Sequence, residues 1–358
     1  MKSKQVTKKV DFTGQKFYVG IDVHKKSWTV SIMSEQLEHK YFTQPPDPLV
    51  LVSYLKKHFP NAFYLSAYEA GFSGFWIHKA LCKQGVNNIV VHPADIPGTD
   101  KERKQKRDHL DARKIAKALR SKNLTGIYVM ENDLLQDRLL VRTRKKLIKD
   151  RTRCKNRIKT ILNYFGISIP EEYDKSYWSR KFIKWIEDLD FEGGSSQITM
   201  SILLQELLMI DNHIKTLYKQ IAELAQAKYQ NLNKLLRSIP GIGLLGAITI
   251  ITEINDINRF KRFDDLCSYV GLIPNVYASG ENEYIGRITK RCNNYLQPVL
   301  IECAWRAVKK DPALLMAYNE YCLRMKSTKA IVRIARKLLS RVRYVLKNQN
   351  EYHMSTVE

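Results

Sequence analysis

The sequence predicts an α/β domain first, then long paired helices, then an all-α domain. Three observations predict this order. Up to residue 128, short apolar runs alternate with helical patterns. Between Met200 and Leu224, apolar residues recur in steps of three and four over three heptads. From Leu235 to about Val345 the text is apolar, glycine-punctuated and helix-like.

Residues 1–15 are polar and basic and read as an arm. In the following run, Phe17, Val19, Ile21 and Val23 alternate onto one face, with Tyr18, Gly20 and Asp22 on the other. A second strand spans Trp28 to Met33, after the turn HKKS, and a third lies near Lys40 to Thr43. PPDP breaks the chain before a helix over Leu49 to His58. A strand from Phe63 to Tyr68, a helix from Phe75 to Lys83, a strand from Asn88 to Val91 and a helix opening at Asp108 complete the series. Three strands, then helix, strand, helix, strand, helix implies a mixed sheet, and fits the ribonuclease-H-like arrangement for residues 16–128.

Residues 129–230 read as a basic helix and a coiled coil with an insert. Glu131 to Phe165 is one long helix, with ten basic residues and one acid, Asp150, between Arg142 and Lys159. A segment with Pro170, Trp178, Trp185 and two glycines separates it from the second helix. The seam of that helix is Met200, Leu203, Leu207, Ile210, Ile214, Leu217, Ile221 and Leu224. It calls for a partner, which is either a helix of the same chain or one of another subunit. Tyr173, Tyr177, Trp178 and Trp185 could stack on unpaired bases or form the core of the insert. Residues 231–346 form the expected helical domain, and 347–358 a tail.

Composition narrows the partners. Sixty Lys and Arg against thirty-six Asp and Glu give 358 residues a formal net charge of +24. A polyanion is the simplest reason to carry such self-repulsion. No signal peptide and no apolar run long enough to span a bilayer is visible. The six cysteines form no CxxC, so they read as reduced thiols of a cytoplasmic protein rather than as disulfides or a zinc site.

Within this cationic text four acids stand out. Asp22 interrupts the strand FYVGIDV, Glu69 ends FYLSAYE, and Asp108 and Asp111 lie three apart in DHLDARKIAKAL, on one side of a helix. Singly, each has an ordinary explanation: a turn former, a strand end, acids favoured by a helix N-terminus. Together they resemble the hard oxygen ligands that two magnesium ions require for phosphodiester chemistry, with Mn2+ as a substitute. Asp95, Asp100 and Glu102 are further acids nearby. Lys101 to Lys122 carries ten basic residues, and the rod from Arg142 to Lys159, with Lys145, Lys149 and Arg153, offers ten more for phosphates. In SIPGIGLLGA, Gly241 and Gly243 suit either backbone approach to a phosphate or, with Gly246, a tight helix crossing.

The combination YVGIDVHKKSWTVSI, YEAGFSG and KRDHLDARKIAKAL resembles the DEDD insertion-sequence transposases of the IS-one-ten family, the bridge-RNA-guided serine recombinases, whose N-terminal domain is RuvC-like. The resemblance implies that Asp22, Glu69, Asp108 and Asp111 bind Mg2+. It continues through GLIPNVYASGENEYIGRITKRCNNYLQPVL, a Ser-Gly followed by a basic I-x-K-x-x-N segment, and implies that Ser279 is the nucleophile that forms a covalent bond to DNA phosphate. Residue 278 is Ala, where members of the family often carry a second serine. A serine hydroxyl needs activation, and its transition state needs positive charge, which Arg287, Lys290 and Arg291 could supply. The partners implied are double-stranded donor and target DNA, a structured guide RNA and further copies of the chain, as a dimer or tetramer. The alternatives are a metal-only, resolvase-like endonuclease with a structural serine and a non-catalytic nucleic-acid-binding scaffold.

Overall fold

The structure is a computed structural model. It describes residues 11–97, 108–175, 177–191, 194–279, 282–289 and 291–354, with 108–109, 275–279 and 282–287 by backbone alone. Asp100, Glu102 and Lys290, and the side chains of Asp108, Ser279 and Arg287, lie outside that description. The chain divides into two compact units, residues 1–129 and 130–358.

The first unit is built on a five-stranded sheet of order β3-β2-β1-β4-β5. The strands are β1 (Lys16–Val23), β2 (Trp28–Met33), β3 (Glu38–Gln44), β4 (Phe63–Glu69) and β5 (Asn87–Val91). β1 pairs antiparallel with β2 and parallel with β4. Local chemistry sets the connections. Helix α1 (Pro48–His58) begins with Pro48, while the Asp47 carboxylate accepts the Leu49 N–H. The alternation in β1 sorts its residues between two cores. Phe17, Val19 and Ile21 face Leu51, Val52 and Leu55 of α1 and Ile77 and Leu81 of α2 (Trp76–Lys83). Tyr18 and its neighbours on the opposite face meet α3 (Asp108–Arg120) through Ala116. This is the mixed sheet that the strand–helix alternation predicts, and helices cover both of its faces.

The second unit opens with a helical hairpin, α4 (Asn132–Tyr164) against α6 (Gly194–Ala227). The two run antiparallel: Arg151 meets Asp211 at 3.1 Å and Arg157 meets Glu206 at 2.7 Å. The heptad seam of α6 therefore finds a helix of its own chain, with Met200, Leu203 and Leu207 packed against Cys154, Ile158 and Leu162. Between them, α5 (Arg180–Glu187) closes the far end with Phe182 and Ile186. Tyr173, Trp178 and Trp185 pack into that core, whereas Tyr177 is exposed.

At the other end of the hairpin, Leu134, Val141, Ile221 and Ala225 enter a larger core. They share it with α7 (Gln230–Arg237), α8 (Leu244–Ile254), α9 (Phe263–Val270), α10 (Leu296–Val308), α11 (Pro312–Arg324) and α12 (Ser327–Asn348). The expectation of an all-α domain needs correction here. β6 (Pro274–Ser279) and β7 (Asn282–Ile288) form an antiparallel hairpin, with Val276 opposite Ile285 and Tyr277 opposite Tyr284. Aromatic and β-branched residues on both sides of a polar Ser-Gly-Glu-Asn turn favour that pairing over a helix.

Candidate functional site

Backbone register brings three of the sequence elements that carry acids to one end of the first unit. Gly20 pairs with Ala67 and Ile21 with Tyr68 across the parallel strands β1 and β4. Continued by one residue, that register would set Asp22 beside Glu69, at the roughly 5 Å spacing of neighbouring strands. Both lie on the side covered by α3, because Ala67 packs with Ile115 whereas Tyr68 belongs to the opposite core. α3 runs antiparallel to β1. Tyr18 packs with Ala116, and a Cβ on Gly20 would fall 2.1 Å from the Ala112 carbonyl oxygen and 2.5 Å from the Ala116 nitrogen. Four helix residues advance about 6 Å and two strand residues about 6.6 Å. One more step along β1, at Asp22, therefore reaches the first turn of α3, where Asp108 and Asp111 stand.

Strand carboxyl ends and a helix N-terminus facing the same space is where open α/β sheets place ligands. Gly20 is what permits it, since any side chain there would lift α3 off the strand. Asp22 is four-fifths buried, with Oδ2 3.1 Å from His24 Nε2. Asp111 Oδ1 accepts from Lys114 Nζ at 3.2 Å, and Glu69 is exposed. Among the described residues no three His, Cys, Asp or Glu side chains are close enough together to hold a metal ion. The donor chemistry nonetheless suits a hard cation: carboxylates on three elements that meet at one end of the sheet, with His24 and Lys114 as neighbours that a metal would displace from Asp22 and Asp111. Asp95 sits in a single 3-10 turn, Pro93–Asp95, beyond β5.

In the second unit, Ser279 is the last residue of β6 and lies opposite Asn282. Asn293, a few residues past its hairpin, bonds a buried carboxylate that the sequence reading overlooked. Glu253, on α8, has only 1% of its side chain exposed. Arg142 Nε and Nη2 donate to its two oxygens at 2.7 and 2.8 Å, and Arg138 Nη2 lies 2.8 Å from Oε2. Asn293 Nδ2 donates to Oε2 at 2.8 Å. Burial alone would raise the Glu253 pKa, but these donors outweigh it and the pKa is lowered. The signal was present, as a lone acid in the apolar run AITIITEI, but single-sequence patterning does not say which acid will be buried.

The other candidates divide. Gly241 has φ +91°, and a Cβ there would lie 2.5 Å from the Cys303 carbonyl oxygen; Gly246 sits against Cys303 as well. These two serve a close crossing with α10. Gly243 caps α8 without crowding, beside a cavity of about 620 Å³ lined by Arg144, Lys145 and Arg306. Lys145 donates to the carbonyls of Asn294 and Tyr295 at 2.9 and 3.1 Å, and burial depresses its pKa. Lys149 is exposed, and Arg153 is exposed with Asp150 at 3.0 Å. Arg291 is exposed, its backbone N–H donating to Thr289 Oγ1.

Comparison with known proteins agrees with this architecture. Residues 19–166 match the family profile of DEDD transposases of IS110 type, and residues 233–319 match the profile of the IS116/IS110/IS902 transposase family. The chain is 27% identical over 238 residues to a protein of Sinorhizobium fredii named as a transposase, an overlap of 66% of this chain and 57% of that relative. A second such protein of S. fredii is 28% identical over 303 residues, 76% of this chain and 74% of its own length. The transposase for insertion sequence element IS1533 of Leptospira borgpetersenii is 26% identical over 247 residues, 64% of this chain and 67% of that protein.

The five-stranded mixed sheet and the profile match together make residues 19–166 similar to the domain of DEDD-type transposases. More particularly, residues 19–166 and residues 233–319 are each similar to a profile of IS110-type transposases. The chain's overlap with the first of these relatives spans little more than half of that protein's length.

Proposed function

We propose that the chain recombines DNA for an insertion sequence, holding a divalent metal at the N-terminal acids and joining Ser279 transiently to a DNA phosphate. The observation that carries this reading is the convergence of Asp22, Glu69 and the first turn of α3 at one end of the sheet. Asp22, Glu69, Asp108 and Asp111 would hold Mg2+, or Mn2+ in its place. When bound, the metal supplies Lewis-acid stabilisation of charge on the phosphate oxygens.

In the serine step the Ser279 Oγ–phosphorus bond forms and one phosphorus–oxygen bond to deoxyribose breaks. The serine proton leaves to solvent or a base, and the departing sugar oxygen gains a proton. Attack by a second strand end on phosphorus reverses the step and frees the serine. Arg287, Lys290 and Arg291 follow Ser279 closely enough in sequence to neutralise the phosphate. Target choice by a structured guide RNA, and assembly as a dimer or tetramer, follow from the family resemblance. The charge of +24 is consistent with both nucleic acids.

The test is denaturing-gel trapping of a protein–DNA adduct, with co-purifying RNA sequenced and matched DNA supplied with Mg2+. Wild type should yield the adduct and Ser279→Ala should not, although the variant still binds DNA. Asp22→Asn should lose the adduct and all cleavage. Cleavage by Ser279→Ala at the wild-type rate would establish the metal-only endonuclease instead. Full activity of Asp22→Asn would remove the acids from the chemistry.

A further inference from the structure

The I-x-K-x-x-N segment ends in Asn293, whose asparagine the serine chemistry does not itself explain. Its position in the fold does. Its backbone N–H donates to the Tyr269 carbonyl at 2.9 Å, so Tyr269 and Asn293 close the excursion that carries β6, Ser279 and β7. Asn293 Nδ2 reaches both Glu253 Oε2, at 2.8 Å, and the Tyr269 hydroxyl, at 3.1 Å. That hydroxyl donates to the Glu253 backbone carbonyl at 2.8 Å. On the other side of the residue, Asn293 Oδ1 accepts the N–H groups of Tyr295 and Leu296 and so caps α10.

Two further contacts make the neck narrow. Gly271 has φ +84°, and a Cβ there would lie 2.1 Å from the Cβ of Cys292 across the neck. Gln297 Nε2 donates to the Gly271 carbonyl at 2.7 Å. The same neck is tied to the cationic helix α4. Arg138 and Arg142 hold Glu253, the Arg142 guanidinium sits 4.2 Å from the Tyr295 ring centroid, and Lys145 binds the Asn294 and Tyr295 carbonyls.

We infer that Glu253 and Asn293 form a clasp that fixes the hairpin bearing Ser279 and links its placement to α4. They are positioning residues and touch no reacting atom. The inference rests on the serine reading above and adds to it a reason for the asparagine. Burying a carboxylate with two arginines is costly unless its geometry is secured, and here all its donors come from α4 or from the hairpin neck. A merely space-filling role would need neither the directional Asn293 bond nor the Tyr269 hydroxyl that both groups share. A hairpin whose two roots both bond to Glu253, one to its backbone carbonyl and one to its carboxylate, cannot tilt without breaking those bonds. Misplacing a nucleophile by about 1 Å can cost on the order of a hundredfold in rate.

Asn293→Asp is the decisive substitution. Aspartate still caps α10, because an Oδ can accept the same two N–H groups, but it removes the donor to Glu253 and sets two carboxylates together. The full-length chain should keep its DNA affinity within about threefold, while the rate of adduct formation at saturating DNA falls by at least about tenfold. Tyr269→Phe, which loses only the hydroxyl, should slow the adduct in the same direction. Backbone amide exchange over 274–289 should quicken in both single variants, a reading that does not depend on activity. Asn293→Asp with wild-type adduct rate and wild-type exchange would overturn the clasp. If wild type itself forms no adduct, the serine reading fails and this placement role fails with it. Faster hairpin exchange in Asn293→Asp would then show only that the contact orders the hairpin.

Discussion

At the scale of single residues, two positions govern what the acids and the serine can do. Gly20 has no room for a methyl group, with backbone atoms of α3 at 2.1 and 2.5 Å from the site of a Cβ. Gly20→Ala must push the helix off β1, a rearrangement costing about 1–3 kcal/mol or more. The expected outcome is a melting temperature lowered by several degrees, together with weakened Mg2+ binding by calorimetry. An unchanged melting temperature would contradict the close approach. Glu253 makes the second case through pH. Its folded pKa lies below the ordinary value of 4.5, so its ionised form is favoured by folding. Stability from this group is therefore complete above about pH 4.5 and is lost as pH falls through the lowered folded value. Glu253→Gln should be less stable than wild type at neutral pH, and the gap should narrow on acidification. A gap that widens in acid would reverse the assignment.

At the scale of elements, the alternation of strand and helix in the first half was legible because four of the five strands bury at least one face, while β3 is mostly exposed. The two cores sort FYVGIDV by parity, as its sequence does. The seam of α6 was equally legible, but a heptad states only that a partner exists, and the contacts of α4 supply it. The β6–β7 hairpin escaped because its two strands lie between long helical patterns, and the text around them reads as one helical domain. The acids were legible as types and spacings; their convergence was not, since it depends on the register of β1 on β4 and on the α3 crossing at Gly20. The Glu253 clasp was invisible for a similar reason: its donors come from residues 138, 142 and 293, far apart in sequence. The α6 reading yields a paired test. Leu207, fully buried, should cost about 2–5 kcal/mol on truncation to Ala, whereas exposed Met209 two residues on should stay within about 0.5 kcal/mol in denaturant titration. Equal costs would mean that the seam is misassigned.

At the scale of the whole molecule, the proposed function makes the excess of positive charge the term that would hold nucleic acid. Each phosphate neutralised by Lys or Arg releases condensed counterion, so the logarithm of the binding constant falls linearly with the logarithm of salt, by about 0.9 per contact on duplex DNA. Not every cation in the sequence is available for this. Arg142 is committed to Glu253 and Lys145 to two carbonyls, whereas Lys149 is exposed on the same helix. The charge run of α4 thus contains both structural and free cations, which composition alone counts alike. Lys149→Ala should reduce the salt slope by about one unit with little change in melting temperature, if that lysine contacts a phosphate. Lys145→Ala should lower the melting temperature, because it removes contacts that hold the Asn294–Tyr295 turn. Binding isotherms at four or five salt concentrations, alongside thermal melts, separate the two. A Lys145 variant that melts like wild type and loses one unit of slope would transfer that lysine from the fold to the nucleic acid.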